Sequence, residues 1–73
     1  MNLIQLTVNG EPCYIDDAST CVLDVISKQF GVKEGAPGVA VAVNGELVPR
    51  GGWATHRLKA GDALELVHAR QGG

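Results

Sequence analysis

The chain has 73 residues, of which 45% are hydrophobic and 4% aromatic, and its formal net charge is −2. A chain this short forms one domain with a small aliphatic core, and it excludes an enzyme with a large internal cavity because nearly every apolar residue is needed for packing. The six basic residues are scattered, and no apolar run approaches the ~20 residues of a membrane span, so neither nucleic-acid binding nor membrane insertion is expected.

The N-terminal segment predicts a β-hairpin. Residues Leu3 to Val8 alternate between apolar and polar side chains, which is typical of a half-buried strand. Asn9-Gly10 predicts a type I′ turn, because both central positions of that turn need a positive φ. Glu11 to Ile15 should therefore return antiparallel, with Cys13 and Ile15 facing the core.

A helix is predicted to follow the polar segment Asp16–Thr20. Ser19 or Thr20 is expected to cap it, since a hydroxyl oxygen accepts from a free backbone N–H there, and Gly31 is expected to end it. Helical spacing places four apolar side chains on its buried face: Val22, Val25, Ile26 and Phe30. The glycine-rich segment Gly31–Gly38 is predicted to be a loop.

Two further strands and a turn are predicted next. Val39–Val43 has no polar break and is expected to lie in the middle of a sheet. Asn44-Gly45 repeats the tight-turn pattern and leads into the short strand Glu46–Val48. Pro49 cannot donate to a strand ladder and should end that strand, followed by a flexible Gly51-Gly52.

The last third of the chain completes the predicted fold. Trp53–Lys59 is expected to be irregular or a single helical turn, and Ala60-Gly61-Asp62 to be a turn. Ala63–Ala69 alternates again, with Leu64 and Leu66 inward. The element order predicts an α+β β-grasp, in which a mixed sheet of four or five strands wraps over one helix. A small five-stranded barrel is the alternative, and the helix pattern disfavours it.

Side chains offer no catalytic constellation. His56 and His68 are far apart in the sequence, and no serine or cysteine stands in a nucleophile motif beside either. Asp16-Asp17 are interpreted as solvated charges near the helix start. Gly51-Gly52 lack the Lys-Ser or Lys-Thr of a phosphate loop. We therefore expect the chain not to be an enzyme.

The two cysteines, Cys13 and Cys21, match neither a CxxC redox pair nor a structural zinc site. The start of the chain carries no export signal, which predicts a cytoplasmic location where thiols stay reduced. We expect two reduced, partly buried cysteines, and a disulfide between them is the alternative.

The C-terminal end is the candidate functional group. The β-grasp domain is expected to span residues 1–69, with 70–73 as a mobile tail that presents the Gly73 carboxylate. A carboxylate is ionised at neutral pH and is a poor electrophile, so it must be activated, for instance by adenylation with ATP. Glycine has no Cβ, so Gly72 and Gly73 can enter a narrow channel of a partner enzyme, preceded by Arg70 and Gln71. A frayed end without function is the alternative interpretation.

An exposed Val67, on the strand face opposite Leu64 and Leu66, is a candidate part of a docking surface. An isolated surface valine explains it equally well.

Several segments together resemble the ThiS family, the sulfur carriers of thiamin biosynthesis: Val43–Arg50, Trp53-Ala54, Leu58, Gly61-Asp62 and Gly72-Gly73. The resemblance spans essentially the whole chain and implies a ubiquitin-like β-grasp. It also implies that a ThiF-type, E1-like adenylyltransferase activates the terminal carboxylate. One departure is Cys21, which stands where the family more often has a capping threonine.

The resemblance further implies a thiocarboxylate on Gly73, with sulfur taken from a donor such as a cysteine desulfurase and passed to the thiazole synthase ThiG. Gly72 is then the residue that enters the partner's channel, and no cofactor is bound because ATP is consumed by the activating partner. For Pro49, Arg50 and Trp53 the resemblance implies a structural or docking role.

Two other carriers share the Gly-Gly end. The small subunit of molybdopterin synthase usually has a proline before the glycines, and Val67–Gln71 has none. A ubiquitin-like modifier would instead join Gly73 to a lysine, and nothing in the sequence decides against it.

Overall fold

The computed structural model describes residues 2–18 and 20–68. Five strands form one mixed sheet in the order β2-β1-β5-β3-β4, in which β1 and β5 are parallel and the other neighbours antiparallel. The elements are β1 Leu3–Val8, β2 Glu11–Asp16, α1 Val22–Phe30, β3 Val39–Val43, β4 Glu46–Val48, a 3-10 turn Arg50–Gly52, and β5 Ala63–His68. The predicted β-grasp is confirmed. The predicted boundary at residue 69 and the tail 70–73 lie outside the described residues.

The two Asn-Gly turns fold as predicted. Asn9 and Gly10 have φ of 50° and 82°, and Asn44 and Gly45 have φ of 51° and 83°. These positive values are those of a type I′ turn, whose twist matches that of the strands it joins. The turns fix the hairpin registers, with Val8 opposite Glu11 and Val43 opposite Glu46.

One face of the sheet and one face of α1 enclose a single core. Strand alternation supplies most of it, and Val32 joins it from the loop after the helix. Trp53 is buried in the same core, and its indole Nε1 donates to the Val48 carbonyl oxygen at 3.0 Å. Burying this ring therefore leaves its polar atom satisfied. The buried hydrophobic residues are Leu6, Val8, Cys13, Ile15, Val22, Val25, Ile26, Val32, Val41, Val43, Val48, Trp53, Leu58, Leu64 and Leu66.

The predicted helix cap is wrong. Cys21 is the N-cap residue, and its Sγ accepts from the Asp24 backbone N–H at 3.4 Å. Thr20 is buried, and its Oγ1 accepts from Arg57 Nε at 3.0 Å, so a contact distant in sequence occupies the hydroxyl that was expected to cap. Ser19 lies outside the described residues. Gly31 ends the helix with φ of 69°, as predicted.

Two smaller expectations also change. Phe30, expected on the buried face of α1, is 37% exposed at the helix end. Gly51-Gly52, expected to be flexible, forms a 3-10 turn in which Gly52 N–H donates to the Pro49 carbonyl at 2.8 Å. Within residues 2–18 and 20–68, no helix has the length and hydropathy to cross a membrane.

Candidate functional site at the C-terminal end of the last strand

Strand β5 leads the chain to its C-terminus and lies at the centre of the sheet. It pairs with β3 along five of its six residues, from Val43 opposite Leu64 to Val39 opposite His68. Its register with β1 is much shorter and includes only two pairs, Thr7 with Ala63 and Val8 with Leu64. The predicted sulfur-bearing and channel-entering residues, Arg70, Gln71, Gly72 and Gly73, lie outside the described residues. The described site is thus the part of the fold from which they continue.

The two turn asparagines hold β5 through their side chains. Asn9 Oδ1 accepts from Leu66 N–H at 2.8 Å, and Asn9 Nδ2 donates to the Leu66 carbonyl at 3.3 Å. Asn44 Oδ1 accepts from Ala63 N–H at 2.9 Å. The residues that shape the two hairpins therefore also hold the first residue of β5, Ala63, and its fourth, Leu66.

Asp62 joins the turn before β5 to the β3–β4 turn. Its Oδ1 accepts from Asn44 Nδ2 at 3.0 Å, and its Oδ2 accepts from Lys59 N–H at 2.8 Å. Burial acts to raise the pKa of this carboxyl. The two hydrogen bonds and the nearby Lys59 and His56 outweigh that effect, so the pKa of Asp62 lies below its ordinary value of 3.8. Asp62 is therefore an ionised structural group.

The solvent face of the sheet exposes two large apolar side chains, one near the end of β5 and one on β4, with the exposed Glu65 on the same face opposite Ala42. Val67 is 61% exposed, which confirms the prediction that it faces solvent, and it pairs with Ala40 of β3. Leu47 is 71% exposed and pairs with Ala42 on the same face. We name Ala40, Ala42, Leu47 and Val67 the outer patch.

Arg50 stands at the edge of the outer patch. A shallow concavity of about 280 Å³ is lined by Gly38, Val39, Ala40, Arg50 and Val67. The guanidinium carbon of Arg50 lies 5.8 Å from the centroid of the Trp53 ring, which is within cation–π range. The structure thus brings together Val67 and Arg50, the two residues predicted for docking, and Trp53 supports Arg50 from the core.

Leu47 was missed by the sequence interpretation. It follows Glu46 and precedes the buried Val48 in a three-residue strand, too short for alternation to be read. The signal was the β3 register, because a type I′ turn places Leu47 opposite Ala42 and therefore on the outer face.

No alternative chemical site emerges from the remaining side chains of the described residues. No group of three or more His, Cys, Asp or Glu residues among them could hold a metal ion. Cys13 is buried and Cys21 half-buried, and both are free thiols, as expected. His56 is half-buried and His68 exposed.

Comparisons with known proteins agree with this architecture. The family model for the ThiS family matches residues 6–73. The chain is similar to the crystal structure of a thiamine biosynthesis protein (ThiS) from Geobacter metallireducens, with 33% identity, 96% of this chain and 100% of that chain covered, and a TM-score of 0.71. An NMR solution structure of a thiamine biosynthesis protein from the same organism gives 32% identity, coverage of 96% and 88%, and a TM-score of 0.72. Comparison with curated proteins finds no match.

Proposed function

The chain belongs to the ThiS family, and on that premise we propose that it carries sulfur for thiamin biosynthesis on the C-terminal carbonyl of Gly73. The observation that carries the proposal is the extent of the family match, which continues through the tail to Gly73. The compact body supports it, because the described side chains form no catalytic cluster and the last strand is firmly held. The function is then to present a terminal carboxylate to the active sites of other proteins.

The proposed cycle begins with activation. A ThiF-type adenylyltransferase joins the Gly73 carboxylate to the AMP portion of ATP and releases pyrophosphate, because a free carboxylate at neutral pH is a poor electrophile. A sulfur nucleophile, such as the persulfide of a cysteine desulfurase, then attacks the acyl carbon and expels AMP. A thiol reduces the resulting acyl disulfide and leaves the thiocarboxylate, which donates sulfur to the thiazole synthase ThiG. The chain binds no cofactor in this cycle, and ATP is consumed by the partner.

Residues of this chain act in that cycle by position. Gly72, without a Cβ, enters the narrow channel of the activating enzyme with Gln71 and Arg70 behind it. Val67 and Arg50 provide the docking surface, together with Leu47 of β4 on the same face of the sheet. Binding energy gained on this surface holds the reacting end in place during activation. The family match favours this role over that of the molybdopterin synthase small subunit.

Intact-mass spectrometry tests the proposal. The chain is incubated with a ThiF-type enzyme, ATP, cysteine and a cysteine desulfurase, and the expected product has one oxygen replaced by sulfur. The matched control lacks Gly73: we expect it to unfold at the same temperature, because terminal residues contribute little to a folded core in general, and to gain no sulfur. An unchanged mass of the full chain, with an enzyme that activates its own carrier, contradicts the proposal. A bond from Gly73 to a lysine would identify a protein modifier instead.

A further inference from the structure

The end of β5 is held unequally on its two sides. Asn44 N–H donates to the Ala63 carbonyl at 2.7 Å, so the backbone groups of Ala63 face β3. Backbone groups alternate in direction along a strand, so those of Leu64 and Leu66 face β1. The β1 register ends with Val8 opposite Leu64. The backbone N–H and C=O of Leu66 therefore face the β1 side at a level where β1 has already ended.

Asn9 occupies that place. Its backbone N–H donates to the Leu64 carbonyl at 2.9 Å, and its carboxamide then both accepts from and donates to Leu66. A carboxamide has the same acceptor and donor as a peptide unit, so this side chain substitutes for the missing continuation of β1. Among the hydrogen bonds of residues 2–18 and 20–68, this pair is the last on the β1 side before the chain continues past His68.

We propose that Asn9 is a positioning residue, whose carboxamide fixes the direction of Leu66–His68 and thereby the point from which the reactive tail enters the activating enzyme. This inference rests on the proposed function and extends it to a residue far from the terminus in sequence. Only five residues separate His68 from the end of the chain. A loosened strand end spreads Gly73 over many positions, and small displacements of reacting groups cost large factors in rate.

The chain contains a matched control for this test. Asn44 is also the first residue of an Asn-Gly turn, with φ of 51° against 50° for Asn9, and its carboxamide also makes two hydrogen bonds. Those bonds hold the start of β5, at Asp62 and Ala63. Glycine adopts the positive φ at either position, so Asn9→Gly and Asn44→Gly each keep the turn and remove one carboxamide.

The two variants should separate stability from positioning. Asn44→Gly is expected to lower the melting temperature at least as much as Asn9→Gly, because it also removes a partner of the buried Asp62. Amide exchange at Leu66, followed by NMR, should accelerate in Asn9→Gly and stay near the wild-type rate in Asn44→Gly. Asn9→Asp, which keeps the acceptor for Leu66 N–H and loses the donor, should fall between Asn9→Gly and wild type.

ATP–pyrophosphate exchange with a ThiF-type enzyme supplies the functional measurement. Asn9→Gly should lower kcat about tenfold with KM nearly unchanged, and Asn44→Gly should keep kcat near the wild-type value. Equal losses in both variants, a change in KM alone, or an unaltered kcat in Asn9→Gly would overturn the inference. If the wild type supports no exchange, the proposed function fails. In that case unchanged Leu66 protection in Asn9→Gly would also refute the ordering role of Asn9.

Discussion

Asp62 shows how a single charged residue can stabilise a small fold without serving chemistry. Its carboxylate is buried, yet both oxygens accept hydrogen bonds, one from Asn44 and one from Lys59 N–H. These bonds tie the β3–β4 turn to the turn that begins β5. A buried carboxylate is tolerated when it is paired in this way.

Replacing Asp62 with asparagine should destabilise the protein by about 1–3 kcal/mol at neutral pH. Both partners of the carboxylate are donors, and a carboxamide has one acceptor oxygen, so one donor would face an N–H group. Asn44 cannot rotate to correct this without losing its acceptor for Ala63 N–H. Urea unfolding of the two proteins measures the difference.

The same difference should depend on pH. The pKa of Asp62 is lower in the folded chain than its ordinary value of 3.8, so its contribution to stability is present above that value and is lost as the pH falls through the folded pKa. The difference in the free energy of unfolding between wild type and Asp62→Asn should therefore become smaller as the pH falls below 3.8. Glu65→Gln, which removes an exposed carboxylate from β5, is the control. A gap that stays constant below pH 3.8 would contradict the assignment.

Among the elements, α1 has an N-cap hydrogen bond that could be strengthened by substitution. Cys21 caps the helix through a thiol sulfur, which is a weaker acceptor than a hydroxyl or carboxylate oxygen. Cys21→Ser should raise the free energy of unfolding by about 0.5–1 kcal/mol, because serine is a preferred cap and the site is half-buried. Thermal or urea unfolding tests this directly.

Cys13 provides the control, because its replacement should change the free energy of unfolding in the opposite direction. The same change, Cys13→Ser, places a hydroxyl in the core, where it should cost about 1–3 kcal/mol. If Cys21→Ser also lowers the free energy of unfolding, the Cys21 sulfur caps the helix better than a hydroxyl oxygen does, and the prediction is wrong.

The elements differ in how far the sequence alone could predict them. The Asn-Gly turns were predictable because two residues dictate their φ values. The helix cap was not, because Thr20 is taken by Arg57, which is distant in the sequence and whose position depends on the complete fold. Likewise the 3-10 turn at Gly51-Gly52 is stabilised by its connection to the buried Trp53.

In the candidate site, too, the sequence predicts what depends on local residues and does not predict what depends on the complete fold. Gly73 was predictable as the reactive end because its role depends on position in the chain. The joint placement of Val67 and Arg50, and the contribution of Leu47, needed the register of β3 with its two neighbours. The hold of Asn9 on Leu66 depends on where β1 ends relative to β5, and no local pattern encodes this.

At the scale of the whole molecule, both sheet edges are poorly suited to pairing with a partner strand. On the β2 edge, Thr7 N–H donates to Asp62 and so faces away from β2. Its partner Pro12 therefore directs its missing N–H towards the free edge. The β4 edge has only three residues. Both are features by which proteins block edge pairing, so docking through the sheet face is favoured.

A charge introduced at Val67 tests whether the outer patch is a docking surface. Val67→Asp places a second carboxylate on the β5 side of the patch, two residues from Glu65 and beside Ala40 and the concavity that Arg50 lines. Desolvating that carboxylate in the docked complex should raise KM for a ThiF-type enzyme about tenfold, because burying an unpaired charge is costly. Because Val67 is 61% exposed in the free chain, the melting temperature should change little.

Leu3→Asp is the matched control. Leu3 is 62% exposed and also lies on the outer face, on β1. Since Thr7 is level with Ala63, Leu3 and Val67 are offset by eight residues, about 26 Å along the strands at ~3.3 Å per residue. A surface used for docking near the tail should therefore respond to Val67→Asp and ignore Leu3→Asp. Equal increases in KM from the two changes would show that the added negative charge weakens binding wherever it is placed. That result would contradict docking through the outer patch.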